Sequence, residues 1–273
     1  MPLRFKDWES AIKGRWFEHD VEIAVKLGLL TGHDDGMFVP DAPVTRAQLA
    51  AVLRRQYETE GREPVQKRML SLVFVRTTLE RRGQLLGQRG SGFWLPGKPW
   101  RVMTNAHVVE SLEDDVKTVG ISVWGNPAAG FSPIDGMKAT VLVMAHEYDL
   151  AVLDVEKPFY ADAGAGLPCP QAALGTVDPE QGQTVWALGN PFGFPWDLCR
   201  GVVRNPQRYI NYWKRGQHVL GIDAPINPGN SGGMLVDYLG NVVGVPCAGV
   251  TGADSFNFAI PLSRVLEVFS RCP

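Results

Sequence analysis

The stretch DAPINPGNSGG, Asp223 to Gly233, puts two prolines, three glycines, two asparagines and one serine into eleven residues. Prolines and glycines at this density stop both helix and strand, so the segment is a loop. Two readings of it are open. It is a plain turn, or it holds Ser231 up to a carbonyl substrate while neighbouring amides face an anion. Glycine's freedom at positive φ would let two amides turn the same way and let a substrate approach the backbone closely. The choice depends on whether the remainder of the chain supplies a base and an acid, because a serine hydroxyl is a weak nucleophile without a base.

The chain has 273 residues, enough for two domains, and carries 30 glycines, 20 prolines and a formal net charge of −2. Nothing in that balance points to a nucleic-acid partner. Cys169, Cys199, Cys247 and Cys272 are too scattered for a disulfide framework, and no CxxC pair suggests a zinc knuckle. No apolar run reaches the roughly 20 residues that span a bilayer. The opening MPLRFKDWESAIKGRW interleaves charges with apolar residues and has no hydrophobic segment of signal-peptide type.

Residues 1–58 read as helix, loop, helix. Val21, Ala24, Val25 and Leu27 recur near a 3.6-residue spacing, and HDDGMFVPDAP breaks the pattern with Asp35-Gly36, Pro40 and Pro43. Thr45-x-x-Gln48 then has the form of a capping box ahead of Leu49, Val52 and Leu53. So small a unit buries little surface and calls for a partner. Residues 59–69 are charged, contain Gly61 and Pro64, and read as a linker ending in a short helix.

From residue 70 to 273 the pattern changes. SLVFVRT, GSGFWL, RVMTNAHVV, VGISVW, KATVLVMA, DLAVLDV, TVWALG, HVLGID, GMLVDY, NVVGVPC and FNFAIP are short apolar or alternating pieces separated by turn residues. So many strands predict a mainly β fold, a sandwich or paired barrels, closed by an amphipathic terminal helix at LSRVLEVF. No βαβ alternation and no phosphate-binding glycine motif appears, which disfavours a nucleotide cofactor.

Of the five histidines, none pairs with another at metal-site spacing. His107 stands apart, because VMTNAHVV places a Thr-Asn step between a strand and the ring. That step suits a packed core histidine, and equally an imidazole turned out towards a neighbour. Asp149 opens DLAVLDV, where an edge charge and a buried carboxylate are both admissible. A buried carboxylate is costly alone, and a histidine N–H would offset that while fixing the ring's tautomer. The order His107, Asp149, Ser231 is that of the double-barrel proteases, and no GxSxG elbow is present.

GSGFWL, VMTNAHVV, DLAVLDV, ALGNPFG, DAPINPGNSGG and NFAIP, in this order, resemble the trypsin-like protease domain of the HtrA/Deg family. The resemblance implies two perpendicular six-stranded antiparallel β-barrels. It implies His107 as general base, Asp149 as its orienter, Ser231 as nucleophile, and Gly229 with Ser231 as the oxyanion hole, with no cofactor. By the same analogy Pro225, Ile226, Pro246, Cys247 and Phe258 wall the specificity pocket. With no acid at its base, a small or aliphatic P1 residue is expected. Trp196, Tyr209, Tyr212 and Trp213 either line a groove or cover a core or subunit seam.

The amino-terminal unit resembles the S-layer homology domain through Phe5-Lys6-Asp7, Gly32, Asp35-Gly36-x-Phe38-x-Pro40 and Val44-Thr45-Arg46-Ala47-Gln48. That implies a cell-wall polysaccharide as partner, bound through Arg46 and Gln48, although Gln48 stands where the family has glutamate. The protease family forms trimers and this module works in threes, so a homotrimer acting on unfolded or extended polypeptide is expected. The competing reading is an envelope-binding scaffold with an idle protease domain. A glycan-active enzyme is a third, and Asp34-Asp35 or Asp114-Asp115 read better as turn or surface acids. The module points to the cell envelope, whereas the missing signal-type segment points to the cytoplasm, and a phage origin fits as well.

Overall fold

The computed structural model describes residues 62–273 apart from 112, 133, 158–169, 213–214 and 250–254, together with positions 6, 7, 10, 12, 13, 21, 25 and 37–39. The chain divides into two compact units, Met1–Pro64 and Val65–Pro273.

In the first unit the described residues form one small apolar group. Ile12 and Val21 are buried, with Val25 and Phe38 packed on them. The Asp7 carboxylate accepts the backbone N–H groups of Phe38 and Val39, both at 2.9 Å. It thereby ties the start of the unit to its central loop, where Val39 adopts a left-handed φ of 50°. The two expected helices as wholes, with Arg46 and Gln48, lie outside the described residues.

The second unit is built from strands. Helix α1 (Arg62–Arg68) leads into it through a 3-10 turn, Met69–Ser71. Val65 is fully buried, and the Arg68 guanidinium donates to the carbonyls of Gly240 and Gln171 at 2.7 and 2.9 Å. Six antiparallel strands then close the first barrel: β1 (Leu72–Arg81), β2 (Gln84–Trp94), β3 (Arg101–Thr104), β4 (Val116–Gly125), β5 (Met137–Ala145) and β6 (Leu150–Val155), in the order β1-β2-β3-β6-β5-β4.

The second sheet runs β11-β8-β9-β10-β13-β12-β7 and also pairs β11 with β12. That pairing closes a second six-stranded antiparallel barrel. Its strands are β8 (Thr184–Gly189), β9 (Asp197–Tyr212), β10 (Arg215–Ile222), β11 (Met234–Val236), β12 (Asn241–Gly249) and β13 (Asn257–Pro261). The two-residue β7 (Ala173–Leu174) lies parallel to β12 outside it. The paired-barrel expectation therefore holds.

Side-chain alternation explains how the barrels meet. On β6, Ala151, Leu153 and Val155 point into the first barrel, while Leu150 and Val152 enter a separate cluster. On β8, Val185 and Ala187 point into the second barrel, and Trp186 and Leu188 enter the same separate cluster. A period of two thus gives each of these strands one face for its own barrel and one for a shared seam. Helix α3 (Leu262–Ser270) seals that seam with Leu262, Val265 and Val268, all fully buried. This is the amphipathic terminal helix expected from the sequence.

Candidate active site

His107 does not lie in a strand. β3 ends at Thr104, and Ala106–Val109 forms a single helical turn, α2, with Asn105 at its start. Asn105 is fully buried, and its amide donates to the Asp149 carbonyl at 2.8 Å. The Ala106 N–H donates to the same carbonyl at 3.1 Å. The Thr-Asn step therefore fastens the histidine turn to the start of β6.

Asp149 sits in the left-handed region at φ 54°, which aspartate tolerates better than most residues. Its carboxylate is buried. It accepts the His107 backbone N–H at 2.9 Å and faces His107 Nδ1 at 2.8 and 3.0 Å. Burial pushes the carboxyl up from its ordinary value of 3.8, while the charge and hydrogen bonds of His107 and the Ala106 amide pull it back down. With the carboxylate on Nδ1, the proton is held on that nitrogen and the lone pair is left on Nε2.

Ser231 lies in the loop between β10 and β11, as expected, and this loop is wedged between the barrels. A Cβ on Gly232 would come within 2.3 Å of both the Ser91 carbonyl on β2 and Thr104 Oγ1 on β3. One on Gly233 would come within 2.2 Å of the Leu188 carbonyl on β8. Glycine is required here by close approach, and Gly232 also has φ +83°.

The Ser231 hydroxyl donates to the Cys247 carbonyl at 3.3 Å. That carbonyl is available because the β12–β13 register slips between Pro246 and Ala248, which leaves Cys247 as an unpaired bulge residue. Its thiol donates towards the Phe258 carbonyl at 3.6 Å. Burial first, and then the charge of Asp149, push this thiol well above its ordinary range. Cys247 is therefore neutral packing next to the acid.

Within the loop the N–H groups of Asn230, Gly232 and Gly233 bond to the carbonyls of Asn227, Pro246 and Asn230. Those of Gly229 and Ser231 have no acceptor among the described residues. The Pro228 carbonyl accepts the Phe192 N–H at 2.7 Å. Because a trans peptide is planar, this turns the Gly229 N–H to the opposite side. Two free donors on either side of Asn230, one of them on the serine itself, are groups of the kind that bind an oxyanion.

The remaining expected residues fall as follows. Pro246, Cys247 and Phe258 are buried, the last two within the seam cluster. Ile226 is half-buried against the second barrel's core, and Pro225 is exposed. Trp196 packs partly against the seam cluster, whereas Tyr209 is exposed with its ring edge against His218. The Tyr212 side chain and Trp213 lie outside the described residues. The buried polar supports Ser91 and Asn190 were not singled out from sequence, although the GSG and GNP pieces that carry them stood within the matched motifs.

Fold and site together define a trypsin-like peptidase domain. A family model with that description matches residues 90–245, and the chain belongs to that family, among its HtrA/Deg proteases. A second model, the S-layer homology domain, matches residues 4–50. "Serine protease HTRA4" of Homo sapiens is 33% identical over 84% of this chain and 46% of its own length. "Protease Do-like 5, chloroplastic" of Arabidopsis thaliana is 33% identical over 70% of this chain and 58% of its own. The chain thus spans about half the length of these relatives. Among solved structures, the active form of the Rv3671c protease from M. tuberculosis shares the fold, with a TM-score of 0.62 at 24% identity over 78% of this chain and 85% of that one.

The raised carboxyl of Asp149 has a stability consequence. A group whose folded pKa lies above its unfolded value favours folding below the unfolded value, and that contribution is lost as pH rises through the folded one. The stability of wild type relative to Asp149→Asn should therefore fall as pH climbs from about 3.8, and then level off. Urea denaturation of both proteins between about pH 3 and 7 measures this. A gap that moves in favour of wild type with rising pH would contradict it.

Proposed function

We propose that this chain is a serine endopeptidase that hydrolyses peptide bonds through an acyl-enzyme. The observation that carries the reading is the buried Asp149 carboxylate held on His107 Nδ1 at the seam where the Ser231 loop arrives. In the proposed cycle His107 Nε2 takes the Ser231 proton as Oγ attacks the carbonyl carbon. In the resting state that hydroxyl bonds to Cys247, so substrate binding redirects it. The oxygen that gains negative charge is met by the N–H groups of Gly229 and Ser231. The imidazolium, steadied by Asp149, then protonates the leaving amine, and water releases the acyl group by the reverse proton path.

A fluorophosphonate probe should label the wild-type protein at Ser231 and leave Ser231→Ala unlabelled. Turnover should fall by roughly 10³-fold or more in that variant. A wild type that resists the probe in every state of assembly would favour the competing reading, an envelope-binding scaffold with an idle protease domain.

The substrates proposed are unfolded or extended polypeptides. A small or aliphatic P1 residue fits a loop that carries Pro225 and Ile226 and whose one acid, Asp223, is engaged by the Val202 N–H. A peptide-library profile dominated by lysine or arginine at P1 would reject that preference.

We further propose that the amino-terminal module tethers the protein to cell-wall polysaccharide at the envelope through Arg46 and Gln48, or serves assembly, and that one module per subunit suffices because three subunits bring three modules together. Sedimentation of the intact protein should give a trimer, and a monomer would remove the basis for this. Among the described residues no helix is long and apolar enough to cross a membrane.

A further inference from the structure

Ser91, on β2 of the first barrel, is fully buried and uses its whole hydrogen-bonding capacity on the nucleophile loop and its neighbour. Its hydroxyl donates to the Gly229 carbonyl at 2.7 Å and accepts the backbone and side-chain N–H groups of Asn190, both at 2.9 Å. A hydroxyl has one proton and two lone pairs, so the two Asn190 donors commit that proton to Gly229. The backbone N–H of Ser91 in turn donates to the Ser231 carbonyl at 2.8 Å. One residue therefore grips both members of the free-amide pair, Gly229 through its side chain and Ser231 through its main chain.

Asn190 completes the clamp. It is fully buried, its amide also donates to the Val73 carbonyl on β1, and its Oδ1 accepts the Trp196 N–H, each at 2.9 Å. It leads directly into Pro191-Phe192, whose Phe192 N–H fixes the Pro228 carbonyl. The peptide planes on both sides of the Gly229 Cα are thus held, one by Phe192 and one by Ser91. Gly229 has φ +106°, and a Cβ there would come within 2.3 Å of the Asn190 carbonyl. A glycine in that conformation has little of its own to prevent the 229–230 peptide from rotating.

We propose that Ser91 is a positioning residue for the oxyanion site. Its hydroxyl, set by Asn190, holds the Gly229–Asn230 peptide so that the Gly229 and Ser231 amides stay aimed at one point. This rests on the hydrolase reading above, and its test separates the two. Ser91→Ala should lower kcat by roughly 10- to 100-fold, less than the 10²- to 10³-fold typical of deleting an oxyanion donor, because the donors remain but lose their aim. KM should stay within about twofold. A peptide boronate, which forms a tetrahedral anionic adduct on Ser231, should weaken by the same factor as kcat, while binding of an unreactive peptide of the same sequence should not change.

Asn126→Ala serves as the structural control. It removes part-buried side-chain bonds to the Met69 carbonyl and from the Ala128 N–H, far along the chain from this loop, and should spare both kcat and boronate affinity. If Ser91→Ala does not fold, Ser91→Cys carries the same comparison, since a thiol occupies similar space and donates only weakly. Wild-type kcat and boronate affinity in the Ser91 variant would overturn the positioning role, and so would an equal loss in Asn126→Ala. A wild type that takes up neither boronate nor fluorophosphonate would instead overturn the hydrolase reading and this proposal with it.

Discussion

The second unit depends on close backbone contact between two barrels along the loop that carries Ser231. Ser91 N–H reaches the Ser231 carbonyl, Gly232 lies against the Ser91 carbonyl, and Gly233 lies against the Leu188 carbonyl. The two glycine contacts leave no room for a side chain. Gly232 and Gly233 are therefore fixed by the distance between β2 and β8 as much as by chemistry. That distance is set by the seam cluster, in which Phe93, Met103 and Val152 of the first barrel meet Leu188, Met234 and Val245 of the second. Burial of large apolar side chains stabilises such a seam by about 1.5–3 kcal/mol each, against about 1 kcal/mol net for a hydrogen bond. Apolar packing fixes where the barrels meet, and the hydrogen bonds then decide how the loop is aimed.

Much of this could be read from sequence because the governing rules are local. Alternation in DLAVLDV and TVWALG marks strands, and the prolines and glycines of residues 223–233 mark a loop. The closed order of each barrel could not be read that way, since β8–β11 and β1–β4 pair residues far apart in the chain. The helical turn at Ala106–Val109 was also hidden. Val108 and Val109 favour strand by propensity, but the Asn105 and Ala106 bonds to the Asp149 carbonyl end the strand there. The roles of Ser91 and Asn190 were concealed for a similar reason. A serine between two glycines carries no periodic signal, and its partners lie 99 and 138 positions away.

The left-handed backbone at Asp149 adds a further dependence. A non-glycine residue there costs of order 1–3 kcal/mol in backbone energy and persists only where its surroundings over-determine it. Some of that restraint is local, from the Asn105 and Ala106 donors. The rest comes from α3, the helix that follows the second barrel, through the residue just before it. Tyr148 donates its hydroxyl to Glu267 on α3 at 3.0 Å, and the Arg264 and Arg271 guanidiniums lie over its ring at 4.9 and 5.7 Å.

The charged groups of that cluster are substantially exposed, and screened ion pairs of this kind are worth little individually. They cannot be what attaches α3. Leu262, Val265 and Val268, fully buried in the seam, supply the binding energy, and the polar cluster sets the rotation and register at which the helix meets Tyr148. Arg271, which caps α3, also reaches Glu147 at 2.6 Å, so two consecutive residues ahead of the acid are fixed from α3 and its cap. The carboxylate belongs to the first barrel by sequence, yet its backbone conformation is held in part by the last helix of the chain. A perturbation of α3 would reach His107 through Asp149 without touching either barrel's interior, and so the acid and the nucleophile loop are both joint products of the two barrels.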